Sequence, residues 1–429
     1  MNETNSELLV EARKLDAADP LASFRQRFHL PTSKDGSTEV YLVGNSLGLQ
    51  PIRTAGYVQE ELEKWRQIGV RGHFESEFPW MPYHEFLTES MARIVGAVNE
   101  EVVMMNSLSA NLHFMMATFY RPEGKRRKIL IENHAFPSDH FAVESQIKFH
   151  GGDPQTDLLL VGSEDANQLV EFDAIEQAVQ ENSDQIALIL LPGVQYYTGQ
   201  RLDMQRITEL AHRHGIVIGY DLAHAVGNVP MDLHDWDVDF AVWCSYKYLN
   251  SGPGSVGGCF VHQRHATDTE KIRFSGWWGH DKQTRFLMKN EFRPIPTAEG
   301  WQLSNPPILS LAAIRASLDE FSEAGFMEPL RNKSLHLTSF LEDHLQREFA
   351  NEVSSITPKD AEDRGCQLSL RISFESIVGK DIHQRLEEAG VRCDWREPDV
   401  IRVAPAPLYN SFEDVARFIL ILKQIQSGK

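Results

Sequence analysis

VDFAVWCSYKYLNSGPGSVGGCFVH, residues 238–262, has the composition of a plain buried strand, yet it carries Lys247 in its middle. An ammonium group is costly there, because desolvation penalises the charged form and no acid stands beside it in the sequence. A lysine kept at such a position has a use for its amine.

The stretch holds two apolar runs, FAVWCSYK and GGCFVH. Five others precede it: EVVMMN (101–106), KILIEN (128–133), DLLLVG (157–162), IALILLPG (186–193) and IVIGYD (216–221). From about residue 55 they alternate with helical stretches. Short apolar runs without polar alternation fit strands buried on both faces of a mostly parallel sheet, so the fold class is α/β.

The chain changes character after residue 305. NPPILSLAAIRASLDEFSEAG (305–325) repeats Ile308, Leu311, Ile314, Leu318 and Phe321 at helical spacing and stops at Gly325, which predicts a long connecting helix. A helix over 329–349, a strand at QLSLRISF (367–374), a helix over 381–389, a strand at VIRVAPAP (400–407) and a final helix from Ser411 predict a smaller α+β domain. At the start, one helix is expected after Ser6, with Leu8, Leu9, Ala12 and Leu15 on a stripe. A second is expected after Asp19, with Pro20 as its first residue. The expected organisation is an N-terminal helical arm and lead-in segment contributing to the small domain (1–54), a large α/β domain (55–310), and the connecting helix with the small C-terminal domain (311–429).

With 429 residues, 42% of them hydrophobic, the chain can bury a large core in more than one domain. A formal net charge of −19 disfavours nucleic acid or an anionic membrane as partner, since both demand a basic surface. The basic run GKRRK (124–128) is a solvated approach to a strand. No apolar run approaches the ~20 residues of a membrane span, and the first residues lack the apolar segment of a secretory signal. Cys244, Cys259, Cys366 and Cys393 show neither C-x-x-C pairing nor zinc-like spacing, so no metal is expected and a reducing, cytoplasmic location is.

Asp221 closes one apolar run and Lys247 another, where open α/β sheets place ligand-binding residues. Such a pair suits pyridoxal 5'-phosphate, the lysine forming a Schiff base and the aspartate meeting the pyridine nitrogen. On these two residues alone, a lysine that snorkels past the strand end to pair with an acid is the competing reading. Their neighbours favour the cofactor. MMNSLSANLHFMMATFY (104–120) supplies strand, turn and helix start with Ser107 or Ser109 as cap, a form of phosphate cup. NHAFPSDHF (133–141) sets Phe136, Ser138 and Asp139 at the next strand end, where an aromatic ring could stack on a flat ligand. PGVQYYTGQRLDM (192–204) brings Tyr197 to another, as a phosphate ligand or proton donor.

Read together, GNSLGLQP (44–51), NSLSANLH, AFPSDHF, YTGQ, DLAHAVGNVPMDLHDW, WCSYKYLNSGPG, GWWGH, LSNPPI and RVAPAPLYNSF resemble the kynureninase family, pyridoxal-phosphate enzymes of fold type I. The resemblance implies that Lys247 is the Schiff-base lysine, Asp221 the partner of the pyridine nitrogen and Phe136 the stacking ring. It places Leu108, Ser109, Tyr246 and, from a neighbouring subunit, Trp277 and Asn305 around the cofactor phosphate. Pro137, Ser138, Asp139 and His224 also belong to the implied cofactor site. His73, Ser304 and Asn305 match positions near the substrate's aromatic ring, and Arg402 matches the arginine expected to hold its α-carboxylate. Tyr197 is taken as the tyrosine of phosphate binding and proton transfer. The implied protein is a homodimer with its active site at the subunit interface, cleaving the Cβ–Cγ bond of L-kynurenine, or of its 3-hydroxy derivative, to the anthranilate and L-alanine.

Two other readings stay open. A cysteine desulfurase-like enzyme would use Cys366 as persulfide carrier, although Tyr246 stands before the lysine where that family has histidine. A pyridoxal-phosphate-binding protein without catalysis is the other. A Rossmann oxidoreductase is a poorer reading still, because no G-x-G-x-x-G follows an early strand.

Overall fold

Each of the seven apolar runs forms a strand of one sheet in the computed structural model, which describes residues 3–163, 168–375 and 377–428. The strands are β1 (Val102–Met104), β2 (Lys128–Glu132), β3 (Leu158–Val161), β4 (Ile186–Pro192), β5 (Val217–Asp221), β6 (Phe240–Trp243) and β7 (Gly258–Val261). They lie in the order β1-β7-β6-β5-β4-β2-β3. The β3–β2–β4–β5–β6 pairs are parallel, and β7 runs antiparallel to both its neighbours. The parallel strands thus bring their C-terminal ends to one edge. Helices cover both faces, which explains why the strands lack polar alternation: Ile129 and Ile131 of β2 pack in one apolar cluster and Leu130 between them packs in another.

Two elements on this edge matter for the site: α2 (Leu108–Phe119) after β1, and α3 (Pro137–Phe149) after β2. Both run back from the C-terminal edge, so their N-termini point toward it.

The chain then passes through α4 (Ile308–Glu323) and α5 (Met327–Phe349) to a second, antiparallel sheet. It is built from β8 (Val353–Ser355), β9 (Leu368–Phe374), β10 (Ile377–Val378), β11 (Asp394–Arg396) and β12 (Val400–Val403). The final helix α6 (Phe412–Gln426) starts at Ser411, whose hydroxyl accepts from the Asp414 N–H at 3.1 Å.

The first helix, α1 (Glu3–Ala18), places Leu8 and Ala12 in the core of this second unit, against Phe412 and Val415. Asp16 accepts from the Phe412 and Glu413 N–H groups at 2.7 and 3.0 Å, adding a tertiary cap to α6. The second expected helix is instead a 3-10 segment, Ala22–Arg27. Asp19 does accept from the Leu21 N–H at 2.9 Å, but it also pairs with Lys333 at 2.7 Å, and the chain turns to bury Phe24 and Phe28.

Candidate active site

Strand β6 stops at Trp243, so Lys247 sits in the following turn rather than on the strand itself. The turn is tightly built. Ser251 donates to Ser245 Oγ at 2.6 Å, and the Asn250 N–H donates to the Lys247 carbonyl at 3.0 Å. The GNSLGLQP segment crosses directly beneath it, the Gly48 N–H donating to the Tyr246 carbonyl at 2.8 Å. A Cβ on Gly48 would lie 2.3 Å from the Lys247 carbonyl oxygen, so only glycine permits this approach.

The turn faces a cavity of ≈ 140 Å³ at the C-terminal edge of the sheet. Lys247 and Tyr246 form one side of it, and Asp221 at the end of β5 with His224 just beyond it another. Asp139, Ser138 and Phe136 at the start of α3, with Leu108 and Ser109 at the start of α2, complete the rim. Glu132, Pro192 and Tyr196 also line it. Lys247 Nζ lies 3.0 Å from His224 Nε2.

The electrostatics are those of a buried carboxyl cluster facing one amine. Asp221 is 8% exposed, Asp139 9% and Glu132 2%. Burial, then the neighbouring Asp221 carboxylate, push Asp139 well above the ordinary carboxylate range. Burial raises Asp221 too, while a hydrogen bond from Asp139, the Ala223 N–H at 2.7 Å and the Lys247 charge oppose it. Asp139 therefore carries the proton and Asp221 the negative charge. Burial pushes Glu132 up to about 8, so it is largely protonated at neutral pH. Burial, and then the Lys247 charge, hold His224 well below the ordinary imidazole value, so His224 is neutral and accepts from the lysine.

These residues fit pyridoxal phosphate. Asp139 Oδ1, His224 Nδ1 and Glu132 Oε2 are buried with no partner among the described residues, an unusual concentration around one cavity. At its rim, Ser107 precedes α2 without capping it by its side chain, and Phe136 likewise precedes α3. Ser109 and Ser138, each at the second position of its helix, bring their hydroxyls within 3.1 Å. Two convergent helix N-termini with paired hydroxyls suit a phosphate dianion. Phe136 is 46% exposed, with its ring edge-on to Tyr196 at 5.2 Å, leaving a face for a flat ligand.

Other sequence-expected residues lie elsewhere in the chain. Pro137 is the first residue of α3 and supports the rim without lining the cavity. Tyr197 does not line it either: its hydroxyl is set beside Arg371 and Asp399, and its ring packs with Ile356 and Val400. Tyr196, its neighbour in the same hydrogen-bonded turn, takes the cavity side. Arg402 is 1% exposed, outside the cavity lining, with Nη1 donating to the Tyr196 carbonyl at 2.6 Å and Nη2 to Asp394. His73 packs edge-on to Trp80 at 5.2 Å, while Trp277, Ser304 and Asn305 are exposed. None of these four lines the cavity of its own chain.

Sequence reading passed over Glu132, Tyr196 and Asp394. Glu132 carried the same signal as Asp221, an acid closing an apolar run, and was legible on that ground. The inward turn of Tyr196 and the pairing of Asp394 with Arg402 are tertiary facts.

Lysine and aspartate facing one cavity at the C-terminal edge of a mostly parallel sheet, beside two helix N-termini, define a fold type I pyridoxal-phosphate enzyme. Solved structures agree on the fold. A cysteine desulfurase from Thermococcus onnurineus NA1 superposes with a TM-score of 0.74 at 15% identity, over 91% of this chain and 95% of that one. The cysteine desulfurase CsdA from Escherichia coli gives 0.74 at 17% identity, over 95% and 98%. Sequence comparison goes further. The DegT/DnrJ/EryC1/StrS aminotransferase family matches residues 70–232, and the kynureninase C-terminal domain matches residues 330–422. A kynureninase of Koribacter versatilis is 53% identical over 408 residues, 95% of each chain, and one of Myxococcus xanthus is 53% identical over 412 residues, 96% of each. The chain belongs to the kynureninase family.

Proposed function

We infer that this chain is a pyridoxal-phosphate-dependent hydrolase that cleaves the Cβ–Cγ bond of L-kynurenine, releasing anthranilate and L-alanine. The observation that carries the chemistry is the Lys247 amine facing buried Asp221 across the cavity; family membership at 53% identity over 95% of the chain carries the substrate. When bound, pyridoxal phosphate supplies an aldehyde that captures the substrate amine and a ring that accepts electron pairs.

The chain's own residues do the rest. Asp221 holds the negative charge that matches a protonated ring nitrogen, with protonated Asp139 donating to it. Phe136 would stack on the ring, and Leu108, Ser109, Ser138 and Tyr246 would hold the phosphate. Lys247 takes the α-proton and returns it, with neutral His224 accepting a hydrogen bond from its ammonium form. Water adds to the aryl ketone, and the Cβ–Cγ bond breaks with its electron pair on Cβ. Tyr246 protonates Cβ: it lines the cavity where Tyr197 does not, and burial raises the pKa of its hydroxyl, so that it keeps its proton at neutral pH. Arg402 receives the α-carboxylate.

His73, Trp277, Ser304 and Asn305 act across a two-fold interface in this reading, so that the partner subunit's Trp277 and Asn305 complete the site. The exposed apolar side chains that flank Trp277 along the chain, Ile272, Phe274, Phe286, Leu287 and Met288, support an interface there. Among the described residues, no helix is long and apolar enough to cross a membrane. With the acidic charge and four free, buried cysteines, this supports a cytoplasmic enzyme without nucleic-acid partners.

The desulfurase reading loses its carrier. Cys366 is fully buried outside the cavity, and burial pushes its thiol up to about 12, the reverse of a mobile nucleophilic thiolate. The test is anthranilate fluorescence on mixing cofactor-loaded protein with L-kynurenine, with 3-hydroxykynurenine followed in parallel by absorbance. Turnover lost in Lys247→Ala supports the assignment; a native rate in that variant, or no turnover of either compound by the native protein, defeats it.

A further inference from the structure

The guanidinium of Arg402 is buried and already engaged. Its Nη1 is held by the Tyr196 carbonyl, its Nη2 by Asp394 Oδ2, and its Nε is buried with no partner among the described residues. Nε and Nη2 form one edge of the guanidinium, so Asp394 occupies half of the fork that a carboxylate fills in a bidentate contact. The pairing is built into the sheet, because Asp394 on β11 stands directly opposite Arg402 on β12. The same Oδ2 also accepts from Arg396 Nη2 at 3.1 Å. The Arg396 side chain is 38% exposed, whereas that of Arg402 is 1% exposed. Asp394 thus lies between a buried arginine and a solvated one.

A buried guanidinium without an anion is strongly disfavoured. Asp394 supplies one, and any ligand carboxylate that reaches Arg402 meets this competitor first. We propose that Asp394 is an internal competing carboxylate, holding Arg402 until the α-carboxylate of the substrate takes the Nε/Nη2 edge and leaves Asp394 to Arg396. Asp394 thereby sets the affinity for carboxylate ligands and excludes amines that carry none. The inference rests on the reading of Arg402 as the α-carboxylate site.

The consequence is a change in affinity without a change in chemistry. A binding group that is partly engaged elsewhere lowers apparent affinity by the fraction engaged. In the holoenzyme, Asp394→Asn keeps the shape and removes the charge. It should lower KM for L-kynurenine and the dissociation constant of the product L-alanine, read by calorimetry, about three- to tenfold, with kcat within about twofold. Asp394→Glu, which keeps a carboxylate, should stay near the native values, and thermal unfolding of both variants checks their integrity. Arg402→Ala should raise KM at least about tenfold. If Arg402→Ala raises KM but Asp394→Asn leaves both constants unchanged or raises them, Asp394 only orients Arg402 and the competition is overturned. If Arg402→Ala leaves KM unchanged, the carboxylate reading itself falls, and the proposal with it.

Discussion

Lys247 Nζ lies 3.0 Å from His224 Nε2, and both groups line one cavity with Asp139 and Asp221. The imidazole is 7% exposed and held neutral by burial and by the lysine's charge, so it accepts the hydrogen bond. The amine that must reach the cofactor is thereby aimed by an uncharged neighbour rather than locked to a carboxylate. His224→Phe removes this acceptor, and Lys247 is left to turn to the acids. Turnover should fall about 10- to 100-fold, with His224→Gln less affected. Steady-state kinetics check this; a native rate in the phenylalanine variant removes His224 from the aiming of the lysine.

The two tyrosines separate geometry from motif. Tyr246 lines the cavity, and Tyr197 faces Arg371 and Asp399. Tyr246→Phe should lower kcat on the order of 100-fold with little change in KM, since a lost general acid acts on the chemical step. Tyr197→Phe should stay within about threefold. The opposite ranking would return the proton-transfer role to Tyr197.

Glu132 makes stability depend on pH in a direction unusual for an acid. Its folded-state value is about 8, above the ordinary 4.5, so the folded protein binds a proton that the unfolded chain releases. Stability from this group is intact below pH 4.5 and lost as pH rises toward 8. Glu132→Gln removes the loss. In cofactor-free protein the variant should gain on the native chain between pH 5 and pH 8, by on the order of a few kcal/mol at most. Parallel denaturation curves at the two pH values would count against a protonated Glu132.

Gly48 holds the floor of the lysine turn. A methyl group there would meet Asn250 Oδ1 at 2.2 Å and the Lys247 carbonyl at 2.3 Å, and the carbonyl cannot give way without moving the lysine. Gly48→Ala should cost about 1–3 kcal/mol and weaken cofactor retention on dialysis. A Cβ on Gly56, in the helix Thr54–Ile68, would meet nothing within 4 Å among the described residues, and Gly56 has no positive φ, so Gly56→Ala should be neutral or gain up to about 1 kcal/mol. Thermal unfolding of the pair reads the difference.

Much of this was legible in the chain. Runs such as KILIEN and IALILLPG identify strands because burial on both faces demands unbroken apolar side chains, and all seven became strands of one sheet. The long periodic helices 305–325 and 329–349 formed within two or three residues of their expected ends. The N-terminal segment fared worse. Its stripe of Leu8 and Ala12 did form a helix, but the second helix became a 3-10 turn, because burying Phe24 and Phe28 outweighed a local capping signal.

For the site, the sequence by itself singled out Asp221 and Lys247 as charged groups closing apolar runs and set Ser138, Asp139 and either Ser107 or Ser109 at neighbouring strand ends and helix starts; the choice of Ser109 came from the family resemblance. Only the tertiary structure decided which neighbour faces inward. Tyr196 or Tyr197 depends on the rotation of a turn, the protonation of Glu132 depends on the depth of its burial, and the engagement of Arg402 depends on the register that sets Asp394 opposite it. Direction, burial and cross-strand register are properties of packed backbone, and no spacing along the chain encodes them.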